Sequence, residues 1–237
     1  MVSVIEWRQF RPTNIIDNAS SEGETLPESG SSRTMSESEK ARLIVGVTGA
    51  TGIVYAVRAL EMLRSIGIET HLVVSRAAEL TREYETDLAK DDLAAMADHA
   101  YGIMDVAAPI ASGSFKTLGM LIAPASMRSV AEIATGVTST LLTRAADVVL
   151  KERRKLVLMV RETPLSLIHL RNLVTITEAG GIIFPPVPAF YTRPTTLDEV
   201  VDQTVGRALD QFGLQLETFP RWSDELRKSL IRQKRAD

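Results

Sequence analysis

With 237 residues, 45% of them hydrophobic, the chain is long enough for one sizeable core and short for two. Its formal net charge of -3 offers no basic field for nucleic acid, and the lack of cysteine excludes disulfides, thiolate metal sites and a cysteine nucleophile. His71, His99 and His169 are far apart and show no metal-ligand spacing, so no metal is expected, and no apolar run approaches the roughly 20 residues that span a bilayer.

Taken in chain order, residues 1–40 read as a poorly packed leader. The stretch 18–40 is rich in Ser, Glu, Gly and Thr and has little to bury. Glu6 and Arg8 interrupt the apolar start, which argues against a signal peptide, and Met35 stands as an alternative initiator. Together with the missing cysteines, this fits a reducing cytoplasm.

From Arg42 the pattern changes. Short continuous apolar runs at 43–47, 70–74, 120–123, 156–160 and 182–184 have the character of parallel strands buried on both faces. Helical patterns lie between them and beyond, at 54–65, 77–83, 129–135, 140–152, 165–179 and 197–212. This alternation predicts an α/β fold: a flavodoxin-like or Rossmann-like, doubly wound open parallel sheet in three αβα layers. Residues 41–214 form that domain, and 215–237 are a charged extension. In such sheets ligands bind at the carboxyl ends of the strands, so the loops there should carry the chemistry.

The first of these loops is Gly46-Val47-Thr48-Gly49-Ala50-Thr51-Gly52, which runs into a helix. Glycines allow close backbone approach, and the helix start offers free N–H groups to an anion, with Thr51 able to hydrogen-bond it. Phosphate binding alone does not name a cofactor, because the Thr-Gly-Ala-Thr-Gly string also occurs in nicotinamide-dependent short-chain dehydrogenases. Those enzymes need a Tyr-x-x-x-Lys pair, and none of Tyr55, Tyr84, Tyr101 or Tyr191 is followed by lysine at that spacing. The second strand ends in Val74-Ser75-Arg76, with no acidic residue for an adenosine ribose, although a Ser-Arg pair could hold a 2′-phosphate.

Further loops combine small and polar residues: Ser112-Gly113-Ser114-Phe115, Pro124-Ala125-Ser126-Met127-Arg128-Ser129, Arg161-Glu162-Thr163-Pro164, and residues 185–191. Each alone reads more readily as a helix cap, a surface ion pair or a stiffened turn. Their coincidence at one sheet edge is harder to assign to structure alone.

These motifs, with Ala-Asp-Val-Val-Leu-Lys-Glu-Arg-Arg at 146–154 and Val-Gly-Arg-Ala-Leu-Asp-Gln-Phe-Gly at 205–213, resemble in order those of the UbiX/Pad flavin prenyltransferases. The resemblance covers about 42–222. It implies a metal-free FMN site and transfer of a dimethylallyl group from dimethylallyl phosphate to N5 and C6 of reduced FMN. It also implies a product used by a UbiD-type decarboxylase, and a dodecamer with the active site at a subunit junction.

Residue by residue, Gly49, Ala50 and Thr51, Ser75, the loop Ser126, Met127, Arg128 and Ser129, and Arg161 match FMN contacts. Many members have Ser at position 51, and Cys where Ala125 stands. Tyr191 and Arg207 match prenyl-phosphate ligands, and Arg144 and Lys151 match further phosphate-binding cations. Glu85 and Glu162, with Thr51, match the reacting centre. Two other readings stay open at this stage: an FMN-binding carrier or accessory subunit of an aromatic acid decarboxylase, and a nicotinamide-dependent oxidoreductase.

Overall fold

A computed structural model describes residues 40–216, 219, 221–223 and 227–228. The expected leader, apart from Lys40, and the alternative start at Met35 lie outside the described residues.

Six strands form one sheet: β1 (Arg42–Val47), β2 (Glu69–Val74), β3 (His99–Tyr101), β4 (Gly119–Ala125), β5 (Lys155–Val160) and β6 (Ile182–Ile183). Their order is β3-β2-β1-β4-β5-β6 and every pairing is parallel. Without the short edge strand β3, this is the 2-1-3-4-5 order of flavodoxin-like folds. The chain winds outward in one direction from β1 and in the other from β4. The switch point therefore lies between these two strands, where Gly46 is in register with Ile122.

Strand residues alternate between two apolar layers. Leu43, Val45, Val47, Leu121, Val157 and Met159 face α1 (Ile53–Ser65) and α7 (Leu197–Leu209). Ile44, Met120, Ile122, Leu156 and Leu158 face α4 (Met127–Ala134), α5 (Leu141–Lys151) and α6 (Leu167–Glu178). Thus α7 and α5 cover opposite faces of the sheet. Two further helices, α2 (Arg76–Glu85) and α3 (Asp92–Ala95), follow β2 on the α1 side through Ala78 and Leu93.

Packing continues past residue 214, where the sequence pattern places the end of the domain. Leu216 and Phe219 are buried, and the Phe219 ring fills the space a side chain at Gly206 would need. A glycine on α7 is what lets the returning chain lie against that helix.

Two of the three histidines, distant in sequence, meet in space. His71 and His99 stack at 4.8 Å across β2 and β3. His71 Nε2 lies 3.0 Å from Glu69 Oε1, and its Nδ1 lies 2.9 Å from the Tyr101 hydroxyl. Glu69, His71 and His99 bring ligand-type atoms within 4.8 Å of one another, which spacing along the chain did not suggest. Arg42 Nε already neutralises the same carboxylate oxygen at 3.2 Å, so the group reads as an ion-pair cluster at the end of the sheet remote from the binding loops.

Burial, opposed by the hydrogen bond to Glu69, holds the His71 imidazole below its ordinary pKa. A group depressed on folding contributes stability above its unfolded pKa and loses it as pH falls through the folded value. The thermal midpoint should therefore begin to fall below about pH 6.5, and less steeply in His71→Gln. Glu69 is also held low, because bonds from His71 and Arg42 outweigh its own burial, and it adds a loss at more acidic pH. Melting curves across pH check both.

Candidate active site

The loop after β1 turns into α1 at Gly52, whose φ of 113° lies in the left-handed region. A side chain at Gly49 would overlap the Ala77 methyl at the start of α2, so only glycine lets these segments touch. Glu85, at the end of α2, supplies the anion that the sequence led us to expect at this helix start from a ligand phosphate. Its Oε2 accepts from Gly52 N at 2.8 Å and Ile53 N at 2.9 Å, and its Oε1 accepts from the Thr51 hydroxyl. The α1 cradle is thus filled by the chain's own carboxylate. Thr51, its hydrogen committed to Glu85, presents oxygen lone pairs to a donor.

The loop after β4 differs. Ser126 caps α4 by accepting from Ser129 N at 3.4 Å, and the two hydroxyls lie 3.3 Å apart. The Met127 and Arg128 N–H groups have no acceptor among the described residues. This helix start, beside the switch point, suits a phosphate, with two free N–H groups, two hydroxyls and a positive dipole end. Ser75 caps α2 in the same way, accepting from Ala78 N at 3.1 Å, and its hydroxyl hydrogen is still available. Arg161, after β5, is exposed and has no carboxylate partner among the described residues. It lies near Tyr55, where burial raises the phenol pKa and the Arg161 charge opposes that shift. These groups fit FMN: an anion site at α4, the Thr51 oxygen, the Ser75 hydroxyl and a cation with no carboxylate partner among the described residues share one sheet edge.

A separate cavity of about 540 Å³ lies beside α7, lined by Phe184, Tyr191, Gln203, Arg207, Arg221 and Trp222 among others. The structure brings Tyr191 and Arg207 together here, as the resemblance implies. Gln203 Nε2 lies 3.4 Å from the Tyr191 hydroxyl, and Arg207 Nη1 lies 3.2 Å from Asp210. Arg221 binds the same carboxylate through both terminal nitrogens, each at 2.7 Å, and the Trp222 ring meets Tyr191 edge-on at 5.4 Å. Sequence reasoning placed Arg221 and Trp222 in a charged tail. A tryptophan within that tail was the available signal that it packs.

Arg144 and Lys151 do not join this cavity. Both are on α5, across the sheet from α7. Arg144 donates to Asp147 at 2.9 Å and to the Ala111 carbonyl at 3.3 Å, and Lys151 pairs with Glu152. Lys151 ends α5 just before β5 begins, at the sheet edge opposite the binding loops. Glu162 is exposed and accepts from Thr163 N at 3.0 Å. The salt bridge to an arginine that would be its bland explanation is absent among the described residues.

Downstream of Glu162, α6 turns an apolar stripe outward: Leu167, Leu170 and Val174 are 61%, 46% and 54% exposed, and Ile168, 70% exposed, flanks it. Beside it, Leu170, Leu173 and Ile183 line an apolar groove. A stripe of this size on one helix marks an interaction surface.

A family model described as Flavoprotein matches residues 31–209. The mitochondrial flavin prenyltransferase PAD1 of Saccharomyces cerevisiae is 47% identical over 224 residues, which is 90% of this chain and 93% of the relative. The flavin prenyltransferase UbiX of Neisseria meningitidis is 55% identical over 181 residues, 76% of this chain and 96% of the relative. Among solved structures, AnUbiX (PadA1) in complex with FMN and dimethylallyl pyrophosphate superposes with a TM-score of 0.77 at 49% identity, covering 78% of this chain and 98% of that one. A dodecameric FMN-dependent UbiX-like decarboxylase from Escherichia coli gives a TM-score of 0.75 at 50% identity, covering 77% and 99%.

Proposed function

The chain belongs to the flavoprotein family, among its UbiX/PAD1-type flavin prenyltransferases, and we propose that cations from two neighbouring copies meet to form its prenyl-phosphate site. Its reaction joins a dimethylallyl group from dimethylallyl phosphate to N5 and C6 of reduced FMN, and the prenylated FMN serves a UbiD-type decarboxylase. The observation that carries this reading over a mere flavin carrier is the cavity at Tyr191 and Arg207. Its two arginines and tyrosine hydroxyl offer a second place for an anion, apart from the α4 helix start, and a carrier would have no use for one.

When bound, reduced FMN supplies the nucleophilic N5 and C6. Its phosphate is assigned to Ser126, Met127, Arg128 and Ser129, with Gly49, Ala50, Thr51, Ser75 and Arg161 as its other contacts. The Thr51 lone pairs can accept an N–H from the flavin edge, with Glu85 behind them as proton acceptor. On the prenyl donor the allylic C–O bond breaks and its electron pair leaves with the phosphate. Arg207 and the Tyr191 hydroxyl stabilise that charge from one copy, and Arg144 and Lys151 from a second. A second copy is required because α5 and α7 lie on opposite faces of the sheet in one chain. The outward stripe on α6 is the surface that holds copies together in a homo-oligomer, taken as a dodecamer like the Escherichia coli relative.

Ring closure puts a proton on the prenyl double bond, joins its tertiary carbon to C6 and releases the C6 proton, and Glu162, not engaged by any cation among the described residues, is assigned to this acid and base work. Glu162→Gln should bind FMN normally and slow prenyl transfer about 10²–10⁴-fold, the usual contribution of a positioned acid or base. Single-turnover reactions read by mass spectrometry of the flavin check this. A parental rate would remove Glu162 from the chemistry, and unmodified FMN from the parent protein would favour the carrier.

No helix among the described residues is long and apolar enough to cross a membrane. The name of the yeast relative places that protein in mitochondria, whereas this chain is assigned to the cytoplasm; imaging a fluorescent fusion decides between the two.

A further inference from the structure

Thr48 follows β1 and Ser126 follows β4, the two strands that flank the switch point. Thr48 is fully buried, and its hydroxyl is used twice. Oγ1 donates to the Pro124 carbonyl at 2.7 Å and accepts from Ser126 N–H at 2.7 Å. Thr48 N–H donates to the same Pro124 carbonyl at 3.2 Å. The β1–β4 register ends at Gly46 and Ile122, so the Thr48 hydroxyl bridges the two chains just where the strands part. On one side of that bridge stand Gly49, Ala50 and Thr51. On the other stands the α4 helix start with its free N–H groups.

We propose that Thr48 is a positioning residue: its buried hydroxyl fixes the spacing between the loop of residues 49–51 and the α4 helix start, so that donors for both parts of a bound FMN stand in place beforehand. The inference rests on the FMN assignment above. Valine has nearly the same shape as threonine but neither donates nor accepts, so Thr48→Val leaves the half-buried Ser126 N–H without its acceptor and the buried Pro124 carbonyl with one donor in place of two. Such groups relieve themselves by moving toward water, which separates the two loops and makes the ligand reorder them on binding.

The test is FMN titration of Thr48→Val and Thr48→Ser, alongside light scattering, melting and visible circular dichroism of the bound flavin. Thr48→Val should bind FMN about tenfold to hundredfold more weakly and alter the flavin dichroism. Thr48→Ser, which keeps the hydroxyl, should restore affinity to within about twofold. For either variant at saturating FMN, the KM for dimethylallyl phosphate should stay near the parental value, because Tyr191 and Arg207 lie on other segments. Parental FMN affinity in a folded Thr48→Val overturns the proposal. Should Thr48→Val not fold, Thr48→Ala is titrated in its place and the same criterion applies; if neither folds while Thr48→Ser does, the role is structural and the proposal fails. Absence of FMN binding by the parent protein would instead overturn the cofactor assignment on which the proposal stands.

Discussion

Replacing Arg207 with alanine is expected to slow prenyl transfer about tenfold to hundredfold, the value of one charge-assisted contact of roughly 1.5–3 kcal/mol, while FMN affinity barely changes. The separation follows from geometry. Arg207 projects from α7 into the cavity with Tyr191, whereas the groups assigned to FMN stand on the loops after β1, β2, β4 and β5. The effect is larger if the contact tightens as the leaving group gains charge. Removing Arg207 should not unfold the region, because Asp210 keeps its bidentate partner Arg221. Arg207→Lys should fall between the two, since a point charge replaces a planar fork. Single-turnover rates and FMN titrations measure both quantities. Loss of FMN binding in Arg207→Ala would show that the two sites have been assigned wrongly.

Placing a charge on the outer face of α6 should have an effect at least as large. Ile168 is 70% exposed in one chain, beside Leu167 in the first turn of α6. Burying an isoleucine against a second copy contributes about 1.5–3 kcal/mol, and an aspartate there would also have to be desolvated without a partner. Ile168→Asp is therefore expected to reduce the assembly to smaller species on light scattering. Prenyl transfer should fall about 10²-fold or more, because Arg144 and Lys151 of the second copy depart together. Full activity in a dissociated variant would mean that one chain holds a complete site.

Much of the sheet was legible because parallel strands buried on both faces must be continuously apolar. Runs at 43–47, 70–74, 120–123 and 156–160 grew by only a residue or two at their ends. The strand β3 was not legible. His99-Ala100-Tyr101 has no apolar run, and it pairs through β2 and the contact between His71 and Tyr101. The helix at 197–212 was visible as a pattern, although its last turn tightens into a 3-10 segment at Asp210–Phe212.

For the site, sequence motifs named the loops and could not say what fills them. The anion at α1 is Glu85, more than thirty residues downstream, and only the fold reveals that contact. Asp210 and Arg221 were similarly hidden. One reads as a surface partner of Arg207 at i+3, the other as part of a polar tail, and together they organise the cavity wall. That Arg144 and Lys151 stand across the sheet from Arg207 follows from which apolar layer each helix joins, a property of topology that no motif spells out.

The most direct test of a site shared between copies uses two crippled chains. Arg207→Ala and Lys151→Ala are coexpressed under different tags, mixed oligomers are purified through both tags, and single-turnover prenylation is followed by the mass of the flavin. Random mixing in a symmetric assembly leaves an intact Arg207 opposite an intact Lys151 in about a quarter of the sites, so about a quarter of the flavin should gain one C5H8 unit at the parental rate. If instead the mixture reacts no faster than the two variants measured separately, every working site takes both residues from the same chain, and the shared-site account is wrong.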